Sequence, residues 1–291
     1  MLKQLPALRG YAFRFSAPHR AARATPIRRR ILRKRVFLLK SGKELTMNIC
    51  LFTGSEISLP LSKKDERAQH IVKVLHKKAG DSFDAGIIGG AAGAATITQI
   101  SDDGEIFFTF EPKTRGKPLY PLTMIIGFPR PIQLRRLLRD IAGLGCDKVI
   151  LTGTELTEKS YLESNVVSDG SAYKMLLDGT AQAASTHVPE LVFVKTLKEA
   201  IDAVKTDAFE KSFIALDNRR ATQSLHEFLQ KEGASKMVAA IGSERGWTEA
   251  ERDLLENNGF ALCSMGTRVL RTETAATVAA SIILDSMGFL D

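Results

Sequence analysis

Ile241-Gly242-Ser243-Glu244-Arg245-Gly246-Trp247-Thr248-Glu249 and Ser264-Met265-Gly266-Thr267-Arg268-Val269-Leu270-Arg271-Thr272-Glu273-Thr274 are the two stretches that decide how this chain reads. Each begins where a short apolar run stops, Met237–Ile241 for the first and Ala261–Ser264 for the second. Runs of that length, bounded by glycine and polar residues, predict strands. In an open α/β sheet ligands sit beyond the carboxyl ends of strands, and glycine there lets backbone approach them closely. Thr248 is expected to cap a helix over Glu249–Asn257, with Glu251 as its capping-box partner. Thr272 is expected to cap a last helix over Glu273–Met287, whose N-terminal dipole Glu273 would complement. Met265 serves equally well as core or as ligand wall. The spacing points to a ligand site without identifying the ligand.

Outward from these stretches the texture is alternating. Strands are predicted at Leu122–Phe128, Lys148–Thr152, Leu191–Lys195 and Phe213–Leu216, and helices at Ile132–Leu144, Leu197–Val204 and Ser224–Gln230. Residues 165–184 read as mostly helical. Strands separated by helices of this length argue a parallel sheet covered on both faces, an α/β domain over residues 119–291. Lys113–Pro121, with two prolines and a glycine, marks a boundary. Residues 47–118 are mostly β and predict a small barrel or curled sheet. Within them, Ala68–His76 reads as a short helix with Ile71, Val74 and Leu75 inward and Gly80 as its C-cap. Gly89-Gly90-Ala91-Ala92-Gly93 precedes a β-branched run rather than a helix, so it reads as a hairpin turn and not as a dinucleotide loop.

Charge and composition narrow the function classes. The net charge is +8, yet residues 1–46 hold 13 Lys/Arg against the single acid Glu44, and the remainder carries 28 bases and 32 acids. A polyanion would therefore meet the body of the protein through a local patch. Three readings of the leader stay open: a disordered basic arm, an organellar presequence, or residues upstream of a start at Met47. No apolar run approaches the roughly 18 residues of a membrane span, so no membrane partner is expected. Cys50, Cys146 and Cys263 form no CxxC pair, which suits a reducing, cytoplasmic setting. The five histidines include no H-x3-H or HExxH pair, so no metal is expected. No nucleophile with a nearby base is evident near the glycine loops, which argues against a hydrolase.

The string from Ile241 to Phe260, followed by Ser264–Ala275 with its L-R-T-E-T-A core, resembles the ribosomal RNA small-subunit methyltransferase E family. These are SPOUT-class enzymes that methylate N3 of a uridine in 16S ribosomal RNA. The resemblance extends more weakly upstream, through His70–Leu75 with Gly80-Asp81, and through Ala181-Gln182 with Val188-Pro189-Glu190. It implies a PUA-like RNA-binding barrel over 47–118 and a C-terminal trefoil knot, an exception to unknotted connections. It implies S-adenosylmethionine bound by three loops: Leu216 and Asp217; Ile241, Gly242, Glu244 and Gly246; and Ser264, Met265, Gly266, Val269 and Leu270. It further implies a homodimer acting on 16S ribosomal RNA or the small ribosomal subunit. Arg271 and Glu273 are the candidate catalytic residues: either Glu273 or Glu244 is expected to accept the N3 proton, or Arg271 favours its loss by charge, and the sequence leaves these alternatives open.

The sequence also departs from the family pattern. G-P-E-G-G becomes Gly242-Ser243-Glu244-Arg245-Gly246, E-R-S becomes Glu158-Lys159-Ser160, an arginine is replaced around Ser185, and the barrel helix ends in His76. Lys159 keeps the charge but loses bidentate phosphate binding. These changes keep a second class open, an RNA-binding protein of the same fold with altered or lost methyltransferase activity. A Rossmann oxidoreductase would need G-x-G-x-x-G after the first strand of the α/β domain, where the chain reads Gly127-Phe128-Pro129-Arg130-Pro131.

Overall fold

The computed structural model describes residues 48–166, 169–205, 211–232 and 235–290. The expectations for the leader lie outside the described residues. Two sheets organise the described chain. The first has four strands in the order β1-β2-β3-β4: β1 (Cys50–Phe52), β2 (Ser82–Ile87), β3 (Ala92–Ile100) and β4 (Ile106–Thr114). β1 runs parallel to β2, and the other pairs are antiparallel. Its inward side chains, among them Phe52, Ile71, Phe83, Ile97 and Ile106, form their own core. Gly89 and Gly90 make the turn between β2 and β3, as the β-branched run after them predicts.

The helix of this part departs from expectation. Residues Glu66–Gln69 (α1) are α-helical, but His70–Val74 wind as a π-helix. The wider turn changes the phase of the side chains, so Ile71 points inward while Val74 is 61% exposed. The helix ends at Leu75, and Gly80, at φ +90°, instead donates its N–H to Ile97 O across the sheet.

The second sheet has seven parallel strands in the order β7-β6-β5-β10-β8-β11-β9. These are β5 (Tyr120–Gly127), β6 (Cys146–Thr152), β7 (Glu190–Val194), β8 (Ser212–Leu216), β9 (Gln223–Ser224), β10 (Met237–Ile241) and β11 (Ala261–Ser264). Alternation along the strands sorts the core into two layers. Leu122, Met124, Ile126, Val149, Leu151, Met237 and Ala239 share one face with α2 (Pro131–Leu144), α4 (Ser171–Gln182), α6 (Leu225–Lys231) and α8 (Thr272–Ser286). Ile125, Ile150, Ala215, Val238, Ala240 and Leu262 share the other with α5 (Leu197–Lys205) and α7 (Glu249–Asn257). A short helix, α3 (Lys159–Leu162), follows β6.

The join between the sheets is shorter than Lys113–Pro121, because β4 runs to Thr114 and β5 begins at Tyr120. Pro121 is tolerated there because the β5–β6 register is irregular between Tyr120 and Thr123, where no ladder donor is needed. The helix expected over 165–184 starts only at Ser171, behind Gly170 at φ +77°.

Candidate functional site

The carboxyl ends of three strands finish level. Leu216 of β8 is in register with Ile241 of β10 on one side and Cys263 of β11 on the other. The three following loops therefore leave the sheet side by side and enclose a cavity of about 680 Å³. The loop after β10 turns tightly: Gly246 N donates to Ser243 O at 2.9 Å, with Gly246 at φ +76°. A Cβ on Gly242 would lie 2.9 Å from the carbonyl carbon of Gly246, so only glycine permits this closure. Gly266, at φ +95° in the loop after β11, has nothing within 4 Å of where a Cβ would sit.

Buried charge fixes the floor. Arg252 Nε and Nη2 both lie 3.0 Å from Asp217 Oδ1, and each side chain is 2% exposed. Asp217 Oδ2 accepts the backbone N–H groups of Arg219, at 3.1 Å, and of Arg220. Arg252 Nη1 reaches Glu249 Oε1 at 2.8 Å. A buried carboxylate with a guanidinium and two amide donors is fully compensated, and it locks the loop after β8 onto α7. Trp247 Nε1 donates to Leu216 O at 3.0 Å. Thr248 and Glu251 form the expected capping box, and Glu251 Oε1 also accepts Glu155 N at 2.9 Å, tying α7 to the loop after β6.

The rim is charged and exposed. Arg130 Nε lies 3.2 Å from Glu244 Oε2 and donates to Tyr161 Oη at 3.0 Å. Arg245, which stands where the family pattern has glycine, pairs with Glu158. The element carrying Glu158-Lys159-Ser160 is thereby joined to the glycine loop. Burial pushes the Cys263 thiol, which lines the cavity, up to about 11. It stays protonated at neutral pH and offers no nucleophile.

Most of the residues singled out from the sequence meet here. Leu216, Asp217, Ile241, Gly242, Glu244, Gly246, Met265, Gly266, Val269 and Leu270 line the cavity. Ser264 ends β11 paired with Ser224 and is not among the lining residues. Arg271 is exposed at the N-cap of α8, and Glu273 is buried in its first turn; neither lines the cavity. Thr272 is not the cap. It is the first residue of α8, buried, and its hydroxyl donates to Gly242 O at 3.4 Å, bridging two of the loops. Leu156, Asn218, Arg219, Trp247 and Arg252 also line the cavity and were not singled out. Asn218 and Arg219 directly follow Asp217, so the strand-end rule reaches them; Leu156 and Arg252 arrive through tertiary packing and carry no local signal.

Comparison with known proteins matches a model of the RNA methyltransferase domain to residues 115–284. The chain is 38% identical over 244 residues to the ribosomal RNA small subunit methyltransferase E of Treponema pallidum, covering 82% of this chain and 91% of that one. It is 36% identical over 241 residues to ribosomal RNA small subunit methyltransferase E 1 of Borreliella burgdorferi, covering 82% and 98%. Among solved structures, it is similar to a ribosomal RNA small subunit methyltransferase E from Neisseria gonorrhoeae bound to S-adenosyl methionine. That likeness has TM-score 0.65 at 18% identity, over 82% of this chain and 97% of the other.

Proposed function

Since the chain belongs to the RNA methyltransferase family that includes the ribosomal RNA small subunit methyltransferases E, we propose that it transfers a methyl group from S-adenosylmethionine to N3 of a uridine in 16S ribosomal RNA. The cavity at the three level strand ends carries this reading. Its size suits a nucleoside-sized ligand, and its glycines expose main-chain donors and acceptors that can read an adenine edge without charged side chains. Leu216, Asp217, Ile241, Gly242, Glu244, Gly246, Met265, Gly266, Val269 and Leu270 would hold the cofactor, Asp217 by fixing its loop through Arg252, while Ser264, outside the lining, would anchor the end of β11 against Ser224. When bound, the cofactor supplies a methyl group on a positively charged sulfur.

The remaining work falls to the protein. Arg271 stabilises the negative charge that develops on the uracil, and a carboxylate, Glu273 or Glu244, accepts the N3 proton. Glu244 lines the cavity and is paired with Arg130, whereas Glu273 is buried in the first turn of α8, outside the lining. Residues 47–118 act as a PUA-like RNA-binding barrel, and residues 119–291 as a SPOUT domain whose C-terminal part is a trefoil knot. Two copies assemble as a homodimer. The cytoplasm is the compartment that suits this activity.

A second reading, an RNA-binding protein of the same fold with altered or lost activity, is favoured by Lys159, Ser185 and His76, where the family pattern has arginine. Incubating the protein with small-subunit RNA and methyl-labelled S-adenosylmethionine, then mapping the modified nucleotide, separates the two. One methyl on N3 of a single uridine is the expected result. Cofactor binding without transfer would favour the second reading, and a methyl on another base would reject the N3 assignment.

A further inference from the structure

α4 ends in a turn that leads straight into the four-stranded part. Ser185 N donates to Thr180 O and Ala184 N to Ala181 O, both at 3.0 Å, the two bonds of a Schellman motif. Its left-handed position is filled by Ala184, at φ +50°, rather than by glycine. The turn delivers Thr186, a polar residue with no exposed surface, against the β2–β3 hairpin. Thr186 O accepts Gly89 N at 2.8 Å, and Thr186 Oγ1 donates to Gly90 O at 2.7 Å.

Two glycines make room for it. A Cβ on Gly86 would lie 2.4 Å from Thr186 Cγ2, and one on Gly116 would lie 2.1 Å from Thr186 Oγ1. Three further bonds surround this joint. Ile49 N donates to Ala181 O at 3.1 Å, Lys117 Nζ donates to Ala183 O at 2.9 Å, and Lys174 Nζ pairs with Glu66 at 3.0 Å. The chain then continues from His187 into β7, at the edge of the seven-stranded sheet. Thr186 is thus bonded on both its carbonyl and its hydroxyl to the hairpin of one sheet while it is covalently part of the other.

We infer that Thr186 is a positioning residue, a key that locks the four-stranded part at a set distance from the cavity so that RNA held by the one presents its base to the other. A flexible joint would leave that orientation to chance encounter, and a preformed one removes the ordering cost from RNA binding. Nothing in the key touches the cavity, so loosening it should weaken RNA binding and leave cofactor binding alone.

The test uses the full chain with Thr186→Val, which keeps the shape and removes the donor, and Thr186→Ser, which keeps the donor. Three quantities are measured: S-adenosylmethionine affinity, the Kd and KM for small-subunit RNA, and hydrogen exchange at Gly89 against that in β5 and β10. Thr186→Val should raise the RNA constants and the Gly89 exchange rate about tenfold, the scale of one lost buried hydrogen bond. Cofactor affinity and exchange in β5 and β10 should stay within about twofold, and Thr186→Ser should stay within about twofold throughout. Unchanged RNA constants, or a fall in cofactor affinity, or an equal loss in Thr186→Ser, would overturn the assignment. Should Thr186→Val not fold, Lys117→Met alters only an exposed side chain of the same joint. It should raise the RNA Kd about threefold, and no change would overturn the inference. The KM presupposes the methyl transfer proposed above. If the wild-type protein transfers no methyl, that proposal fails, while RNA Kd and Gly89 exchange still report on the key.

Discussion

The floor and the rim of the cavity are both built from ion pairs, and the two are made differently. On the floor, Arg252 and Asp217 are 2% exposed, and each has further partners in the same structure. On the rim, Arg245 with Glu158 and Arg130 with Glu244 sit at the surface, where solvent screens them. Removing one partner of a buried pair strands a charge without water, whereas removing one partner of an exposed pair returns the other to solvent. The floor is therefore committed to holding the loop after β8 in place. The rim is free to vary, and it is on the rim that Arg245 and Lys159 depart from the family pattern.

The largest effect should come from breaking the floor. Arg252→Ala leaves Asp217 buried without its counter-charge, and we expect a loss of about 3–5 kcal/mol of stability, read as a lowered denaturant midpoint. A loss below about 1 kcal/mol would mean that water reaches Asp217 and that floor and rim do not differ.

Next comes the exposed residue assigned to chemistry. Arg271→Ala should slow single-turnover methylation of small-subunit RNA by about 10²–10³-fold while cofactor affinity stays unchanged. Arg271→Lys should recover part of the rate by restoring charge without the planar fork. Near-wild-type rates in both variants, with mass in solution and cofactor affinity matching the wild type, would remove Arg271 from the mechanism.

The rim itself should respond weakly. Arg245→Ala is expected to change stability by no more than about 1 kcal/mol in chemical denaturation, in line with other exposed pairs. A loss comparable to that of Arg252→Ala would make the Arg245–Glu158 pair structural and erase the contrast. The smallest expected effect is in the turn after α4: Ala184→Gly relieves a left-handed alanine and should raise stability by up to about 1 kcal/mol, less what the freer unfolded chain gives back. A fall in stability would mean that the alanine methyl makes a contact worth more than the backbone strain.

Features set by neighbouring residues were legible in the sequence. β10 and β11 begin and end where Met237–Ile241 and Ala261–Ser264 predict, because polar or glycine-containing stretches bracket them. The Thr248–Glu251 capping box likewise depends on residues three apart. Features set by tertiary partners were not. Thr272 reads locally as a cap, but its hydroxyl goes to Gly242, 30 residues away in the chain. Val74 reads as inward on an α-helical count, and the π-helical winding turns it out. The Arg245–Glu158 pair spans 87 residues, and no spacing rule reaches that far. The cavity lining was found through its glycines and strand ends, whereas Leu156 and Arg252 reach it from a loop and a helix that carry no such mark.

The proposed binding of S-adenosylmethionine by the three loops at the ends of β8, β10 and β11 is open to isothermal titration of Gly266→Val. Valine at φ +95° is strained, and its side chain projects into the open space beside Gly266, so the titration is run on protein whose thermal transition shows it to be folded. Affinity should fall by about 100-fold or more, equivalent to about 2.7 kcal/mol. A folded Gly266→Val protein that binds S-adenosylmethionine as tightly as the wild type would contradict the proposed binding.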